Sequence, residues 1–250
     1  MTEGRHPVTP TPMRAAIARR MVQSKQSAPH FYVSRDLEMD IALDSLAALN
    51  VDRAADERIS VTALVVKALA LTLQGNPAFN AVWSGETLER VDAVNIGVAI
   101  DLGEGGLIAP ALLGCEARST AAIGAALRDL VTRSRAGRMR AAEISEGTFT
   151  LTNLGMLGVT SFTAIITPPQ VATLATGITE ARPVVRDGQV VVRRMMSATL
   201  SSDHRAVDGA GAARFLADLQ ARFWAPAEWL VVEPGPSEAN VAANADPNAV

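Results

Sequence analysis

The sequence predicts a protein of the α/β class, of the α+β sandwich type, in which a mixed sheet is flanked by helices. Several segments repeat apolar residues at helical spacing, and alternating, strand-like runs lie between them. Asp187-Gly188 separates two such runs and marks a hairpin turn. This mixture of long helices, strand runs and hairpins is typical of a sheet that helices cover on one face.

The composition restricts the classes of function. The 250 residues suffice for one large domain or two small ones, and a net charge of −3 gives no reason to expect nucleic-acid binding. The single cysteine, Cys115, excludes an internal disulfide and a cysteine-rich metal site. We also expect no metal site rich in histidine, because the chain has only three histidines. A membrane span and a signal peptide are not expected either, since apolar runs of sufficient length are missing.

The first third of the chain predicts an arm, two helices and a strand. Residues 1–12 are rich in proline and predict an extended arm, and residues 13–27 carry apolar residues along one helical face. The alternation in HFYVSRDLEMD, residues 30–40, predicts a strand. Ser60 is placed to cap an apolar helix over 61–74, which Gly-Asn-Pro ends.

The middle of the chain predicts further strands around a second long helix. AVNIGVAID and GGLIAPALL, residues 93–101 and 105–113, are strand-like runs on either side of a glycine-rich turn. Residues 119–135 predict an amphipathic helix. GTFTLTNLGMLG begins as an alternating strand through Thr152 and breaks at Asn153 and Gly155.

The last third predicts a hairpin followed by a helix. QVATLATGI is a strand, and RPVVRDGQVVVRRMM predicts a hairpin whose second strand covers 189–200. Residues 210–223 have apolar residues at helical spacing and predict a helix that packs inward. Residues 233–250 are polar and predict a disordered tail.

The segment SSDHRAVDGAG, which joins this strand to this helix, is the first candidate for catalysis. A neutral imidazole at His204 can take a proton from a thiol or a hydroxyl while a neighbouring group fixes its tautomer. Structural explanations stay open: a satisfied, half-buried His204, a helix-capping Asp208, and a solvated ion pair between Asp203 and Arg205.

Thr152 is the second candidate because its hydroxyl lies at a strand end, beside a break in the ladder. It can donate a hydrogen bond to a developing oxyanion, or it can satisfy its own turn. The chain has no G-x-S-x-G elbow, and GEGG at 103–106 lacks the Lys and Ser/Thr of a phosphate loop. The chemistry that remains is direct transfer between two substrates, with His204 as base and no covalent enzyme intermediate.

Four blocks of the chain together resemble one family. They are MRAAIARRMVQSKQSAPHFYVSRDLEMD, VNIGVAIDLGEGGLIAPAL, GTFTLTNLGMLGVTSFTAIITPPQVATLATG and SSDHRAVDGAGAARFLADL. In this order they resemble the catalytic domain of dihydrolipoamide acyltransferases, the E2 components of 2-oxo acid dehydrogenase complexes. The resemblance covers roughly residues 11–232. It divides the chain into the arm 1–12, a catalytic domain over 13–232 and the tail 233–250.

The resemblance implies a fold like that of chloramphenicol acetyltransferase, assembled as a homotrimer. It implies acyl transfer between a dihydrolipoyl thiol and coenzyme A, without a metal. The family's base matches His204, its motif aspartate matches Asp208, and its oxyanion hydroxyl matches Thr152 of a neighbouring subunit. Ala206 and the segment 156–162 are expected to shape the pocket. The positions that match the contacts to coenzyme A are Ser60, Asp101, Asn153 and Gly177.

The resemblance also implies partners. We expect a lipoyl group carried by another domain or chain, E1 and E3 dehydrogenase components, and no nucleic acid or membrane. No lipoyl domain precedes residue 13, so the chain is either an excised core or a stand-alone enzyme served in trans. The polar tail differs from the family's apolar C-terminus, so a homotrimer is expected and its assembly into a cage of 24 or 60 subunits stays open. The expected location is the bacterial cytoplasm, or the mitochondrial matrix in a eukaryote.

Two alternatives stay open. The first is a stand-alone enzyme of the chloramphenicol acetyltransferase type that acts on a small alcohol. The second is a scaffold that assembles dehydrogenase subunits, against which the presence of both His204 and Thr152 argues. Acetyl, propionyl, branched-chain and succinyl transfer share these motifs.

Overall fold

The structure, a computed structural model, describes residues 4, 6, 8–103 and 106–230. Its helices are α1 (Pro12–Ser27), α2 (Asp40–Leu49), α3 (Val61–Gly75), α4 (Thr120–Arg135), α5 (Ala141–Ser145) and α6 (Gly209–Trp224). Its strands are β1 (His30–Glu38), β2 (Ala81–Ser84), β3 (Thr87–Arg90), β4 (Ile96–Val98), β5 (Ile100–Asp101), β6 (Leu107–Ile108), β7 (Ala111–Leu112), β8 (Phe149–Asn153), β9 (Ala172–Arg186) and β10 (Gln189–Asp203).

A six-stranded mixed sheet forms the centre of the fold, in the order β1-β10-β9-β8-β4-β7. Strand β8 runs parallel to both of its neighbours, β4 and β9, whereas the other pairs are antiparallel. Two small hairpins, β2-β3 and β5-β6, lie outside this sheet. The predicted mixed sheet with helices is therefore confirmed.

The register of the central strands gives the sheet two different faces. Because side chains alternate along a strand, Phe149 and Leu151 of β8 point to the face opposite Thr150 and Thr152. Phe149 is fully buried and its ring stacks on Phe215 of α6 at 6.0 Å. The helices thus cover the apolar face, while the other face carries a concentration of hydroxyl groups.

Helix α3 is the most deeply buried helix, with ten of its 15 residues buried. It begins where the sequence predicts, because the Ser60 hydroxyl accepts a hydrogen bond from the Ala63 amide at 3.1 Å. The helix also buries Lys67, whose ammonium donates to the carbonyl of Glu116 at 2.9 Å. Burial lowers the pKa of Lys67 and raises the pKa of the neighbouring Cys115 thiol to about 11.

The hairpin β9-β10 follows the prediction and is longer than predicted. Asp187 and Gly188 have φ angles of 51° and 76°, as a two-residue turn of type I′ requires. Strand β10 continues past 200, through Ser201 and Ser202 to Asp203. These polar residues stay in the strand because β1 and β9 pair with it on both sides and bury them.

Three elements were not predicted from the sequence: α2, α5 and the hairpin β2-β3. Helix α2 begins at Met39 without a side-chain cap, so its start carries no sequence signal. Helix α5 and the two strands have only four or five residues each, which is too short for a period to be recognised. The predicted tail, 233–250, lies outside the described residues, and the arm 1–12 is described only in part.

Gly177 allows another segment of the chain to approach β9. A β-carbon at this position would lie 1.9 Å from the carbonyl oxygen of Thr160. The Ile178 amide donates to the Val159 carbonyl at 2.7 Å in the same region, and the pairing with β10 shifts register opposite it. The chain that follows β8 is thereby held against the sheet.

Gly177→Ala should therefore destabilise the protein, by about 2–4 kcal/mol, because backbone rather than a flexible side chain must move. Denaturant unfolding measures this change. Gly75→Ala is the matched control, since its added β-carbon meets nothing within 4 Å and it ends a helix. Equal stability of the two variants would contradict the close approach.

Candidate active site

His204 lies in the turn between β10 and α6, with its side chain exposed to solvent. Its backbone amide donates to the carbonyl of Pro29 at 3.0 Å, and its ring packs against Phe31 with 4.7 Å between centroids. Among the described residues, neither ring nitrogen has a hydrogen-bond partner. The structure therefore does not have the half-buried, hydrogen-bonded histidine that the sequence left open. The imidazole is free to meet a substrate.

Asp203 fixes the turn that carries His204. Its carboxylate is 1% exposed, and it accepts from Arg205 Nη2 at 2.6 Å and from Trp83 Nε1 at 3.1 Å. The Arg205 guanidinium also lies 4.5 Å from the Trp83 ring, and its hydrogen bond with Asp203 raises the pKa of Arg205. The interpretation of this pair as solvated is wrong, because the carboxylate is buried and takes part in several hydrogen bonds.

Asp208 caps helix α6. Its Oδ1 accepts from the Gly211 amide at 2.7 Å, and its side chain is exposed. The capping role that the sequence left open is confirmed. Within the part of the chain that the structure describes, no hydrogen bond joins Asp208 to His204, so a role in orienting the base stays a prediction.

Thr152 lies on a cleft of about 570 Å³ at the end of β8. The cleft is bounded by α1, the hairpin β5-β6, α5 and the chain after β8. Its floor is formed by Thr150, Thr152 and Thr173, and its walls are mostly apolar. Those walls include Ile17, Met21, Leu107, Ile108, Pro110, Met139, Ile144, Met156, Leu157, Phe162 and Ile165. The segment 156–162 thus contributes to the cleft, as the sequence predicted.

The cleft and His204 lie apart within one chain. Thr152 is opposite Ala175 of β9, which is opposite Thr199 of β10, and His204 follows five residues later. Two strand spacings of about 4.8 Å and five residues of about 3.3 Å place roughly 15–20 Å between Thr152 and His204. A single chain therefore does not bring its two predicted catalytic groups together.

The positions that the sequence matched to coenzyme A surround the end of β8. Asn153 Nδ2 donates to the Thr62 hydroxyl at 3.3 Å in the first turn of α3, the helix that Ser60 caps. Asp101 and Asn153 both line the cleft. Gly177 packs directly behind this loop, because a β-carbon on Gly155 would lie 2.7 Å from its carbonyl. The roles of these residues in binding stay predictions.

His30 holds one wall of the cleft. Its Nδ1 lies 2.8 Å from the carbonyl of Ala28, and its Nε2 accepts from the Ile166 amide at 3.1 Å. This pair of contacts requires a neutral ring with the proton on Nδ1. Ile166 lies between two residues of the cleft wall, Ile165 and Thr167. His30 therefore ties β1 to the segment that borders the cleft.

His30→Leu should loosen this wall, because the Ile166 amide loses its acceptor. We expect its hydrogen exchange to quicken roughly fivefold to tenfold, as one lost hydrogen bond implies. His30→Gln is the matched control, since its side-chain oxygen can accept in place of Nε2. Wild-type exchange at Ile166 in the leucine variant would contradict this role.

The described residues include no group of three or more His, Cys, Asp or Glu side chains placed to hold a metal ion. Within the same residues, no helix has both the length and the apolar character to cross a membrane.

The fold is shared with acyltransferases. Chloramphenicol acetyltransferase superposes with a TM-score of 0.55 at 13% identity, over 85% of this chain and 95% of that structure, which shows a common fold. The dihydrolipoamide acetyltransferase (E2p) of Azotobacter vinelandii superposes with a TM-score of 0.84 at 29% identity, over 92% of this chain and 96% of that structure. The predicted chloramphenicol acetyltransferase-like fold is thus confirmed.

The chain belongs to the family of 2-oxoacid dehydrogenase acyltransferases, whose catalytic-domain model matches residues 3–231. A relative from Rhizobium meliloti is 41% identical over 212 residues, which cover 82% of this chain. That relative is the dihydrolipoyllysine-residue acetyltransferase component of a pyruvate dehydrogenase complex. The match covers 47% of its length, so this chain spans about half of that relative.

Proposed function

We propose that this chain transfers a short acyl group between dihydrolipoamide and coenzyme A, as the E2 core of a 2-oxo acid dehydrogenase complex. The observation that carries the proposal is the spacing of Thr152, His204 and Asp208 along the sequence. A crystallographic and enzymatic study of the Azotobacter enzyme addresses the role of a serine, a histidine and an asparagine in its catalytic mechanism. Those residues are spaced by 52 and then four positions, as are Thr152, His204 and Asp208.

The comparisons favour this function over a stand-alone acetyltransferase of the chloramphenicol type. Identity reaches 41% with an E2 component, but only 13% with chloramphenicol acetyltransferase. The presence of an exposed imidazole and of a hydroxyl on the cleft also supports catalysis rather than scaffolding alone.

His204 acts as the general base in this proposal. Its exposed ring takes the proton of the attacking thiol, since an imidazole is well matched to a thiol with a pKa of about 8.5. The thiolate then adds to the thioester carbonyl, and the carbon–sulfur bond to the other thiol breaks when the tetrahedral intermediate collapses. His204 returns its proton to the departing thiolate, so the enzyme ends the cycle unchanged.

Thr152 stabilises the negative charge that develops on the carbonyl oxygen. A hydroxyl aimed at such an oxyanion contributes about 3 kcal/mol in the transition state. Asp208 supports the base indirectly: it caps α6 and so fixes the end of the loop that starts at His204. At the other end of the loop, the buried Asp203 provides the second anchor.

A homotrimer would bring the two groups together. Thr152 and His204 lie roughly 15–20 Å apart in one chain by strand spacing, so the base must come from a neighbouring subunit. Exposed apolar side chains border the cleft, among them Met156 at 78% and Leu157 at 73% exposed. Such a concentration of exposed apolar surface marks an interaction site, and a second copy of the chain would bury it.

The remaining partners follow from the same proposal. Ser60, Asp101, Asn153 and Gly177 would contact coenzyme A, and of these Asp101 and Asn153 line the cleft. The lipoyl group, the other substrate, would be carried by a separate domain or chain, and E1 and E3 components would complete the complex. The domain would extend over 13–232. A bacterial cytoplasm or a mitochondrial matrix is the expected compartment.

His204→Ala should lower the turnover number by roughly two to four orders of magnitude, because the attacking thiol loses its base. The trimer should persist, since the exposed ring adds little to packing. Turnover is measured with acetyl-CoA and free dihydrolipoamide, and assembly by light scattering. A trimeric variant with turnover near the wild-type value would contradict the assignment.

The acyl group is identified by the same assay with a panel of acyl-CoAs. The apolar walls of the cleft predict that acetyl, propionyl or branched-chain groups react faster than the charged succinyl group, by roughly tenfold or more. Transfer to chloramphenicol in preference to dihydrolipoamide would contradict the E2 proposal.

A further inference from the structure

Thr173 carries a hydroxyl that its own chain does not use. The residue is 1% exposed, and its Oγ1 has no hydrogen-bond partner among the described residues. It lies on the floor of the cleft, on β9, directly opposite Thr150 of β8. A polar atom that is both buried and unpaired lowers stability unless something outside the free chain satisfies it.

The neighbouring polar groups do not satisfy it. Thr150 uses its hydroxyl to donate to Gln170 Oε1 at 2.6 Å, and Gln170 in turn donates to the carbonyl of Gly147 at 3.1 Å. Ser201 lies opposite Thr173 on the other side, but its own hydroxyl is also buried and unpaired. Of these two unpaired hydroxyls, Thr173 is the one that lines the cleft.

Thr173 is also well placed relative to Thr152. The two residues lie on adjacent strands and the same sheet face, as diagonal neighbours, because Thr152 is opposite Ala175. Such neighbours have α-carbons about 7–8 Å apart, within the length of a single substrate arm. Two threonines thus line one apolar cleft, and only Thr152 has a role in the proposed reaction.

We infer that Thr173 is a substrate-binding residue that donates a hydrogen bond to a carbonyl oxygen of the thioester substrate. This inference rests on the proposed function and adds a second contact to it. The carbonyl is the nearest amide carbonyl in the thiol arm of coenzyme A, whose charge does not change during the reaction. The contact forms on binding and is the same in the transition state, so it lowers KM and leaves the turnover number unchanged.

Thr173→Val keeps the shape of the side chain and removes the hydroxyl, so it separates binding from folding. In the thioester-transfer assay we expect KM to rise roughly fivefold, with the turnover number changed by less than about twofold. The thermal midpoint should stay unchanged or rise, because the variant loses an unpaired buried hydroxyl. Thr173→Ser keeps the hydroxyl and should keep the wild-type KM.

Two matched controls test whether the effect belongs to the cleft. Thr176, on the same strand, has an equally buried and unpaired hydroxyl that does not line the cleft, and Ser201 is the unpaired neighbour. Thr176→Val and Ser201→Ala should leave KM unchanged. An equal rise in KM for Thr176→Val would show that the rise comes from altered folding, and it would overturn the inference. An equal rise in KM for Ser201→Ala would indicate a bridging water instead of a direct contact, and it would also overturn the inference.

The direction of the assay identifies the carbonyl. A higher KM for acyl-CoA with an unchanged KM for acyl-dihydrolipoamide supports the contact with the amide of the coenzyme A arm, whereas an equal rise in both KM values would overturn it. An active wild-type protein whose Thr173→Val variant has both KM values unchanged overturns the inference and leaves the proposed function standing. A wild-type protein that transfers no acyl group overturns both.

Discussion

The register of β8, β9 and β10 is the constraint on which the site depends. It places Thr150 opposite Thr173 and Thr152 opposite Ala175, so that threonine hydroxyls collect on one face of the sheet. The other face receives the aromatic and aliphatic side chains that pack against α3 and α6. A slip of one residue would exchange the two faces, burying hydroxyls among the helices and exposing Phe149. The apolar core therefore fixes the position of the polar cleft floor.

A second local constraint holds the base. Asp203 ends β10 as a buried carboxylate, and Arg205 and Trp83 satisfy it. Removing either charge would leave the remaining one unpaired in a partly buried site. The pair therefore resists rearrangement. The loop from His204 to the cap at Asp208 is thus anchored at both ends. The imidazole between the anchors is exposed, which fits its proposed role as a base at the site of a neighbouring subunit.

Signals that act within a few residues were sufficient to predict much of the fold from the sequence. The caps at Ser60 and Asp208 and the turn at Asp187-Gly188 are local devices, and the structure has each of them. The burial of Asp203 was not predictable, because it depends on Trp83, 120 residues away in the chain. Apart from the segment 156–162, the cleft walls were missed for the same reason, since α1, β6 and α5 meet there only through tertiary packing.

For the candidate site residues, too, one part was predictable from the sequence and another was not. Their identities were predicted from motif spacing and from resemblance, whereas their geometry depends on which strands are neighbours. The separation of Thr152 from His204 follows from strand order, which the sequence did not specify. Thr173 has no motif at all, and its only signal is a threonine in an otherwise apolar strand run.

The account's central claim is that each active site combines Thr152 of one subunit with His204 of another. Mixing the inactive variants Thr152→Ala and His204→Ala, with different tags to isolate mixed trimers, tests it directly. Each isolated mixed trimer should recover about one third of the wild-type turnover, because one of its three interfaces joins the two intact residues. Mixed trimers no more active than the separate variants would show that the two residues do not act at a shared site.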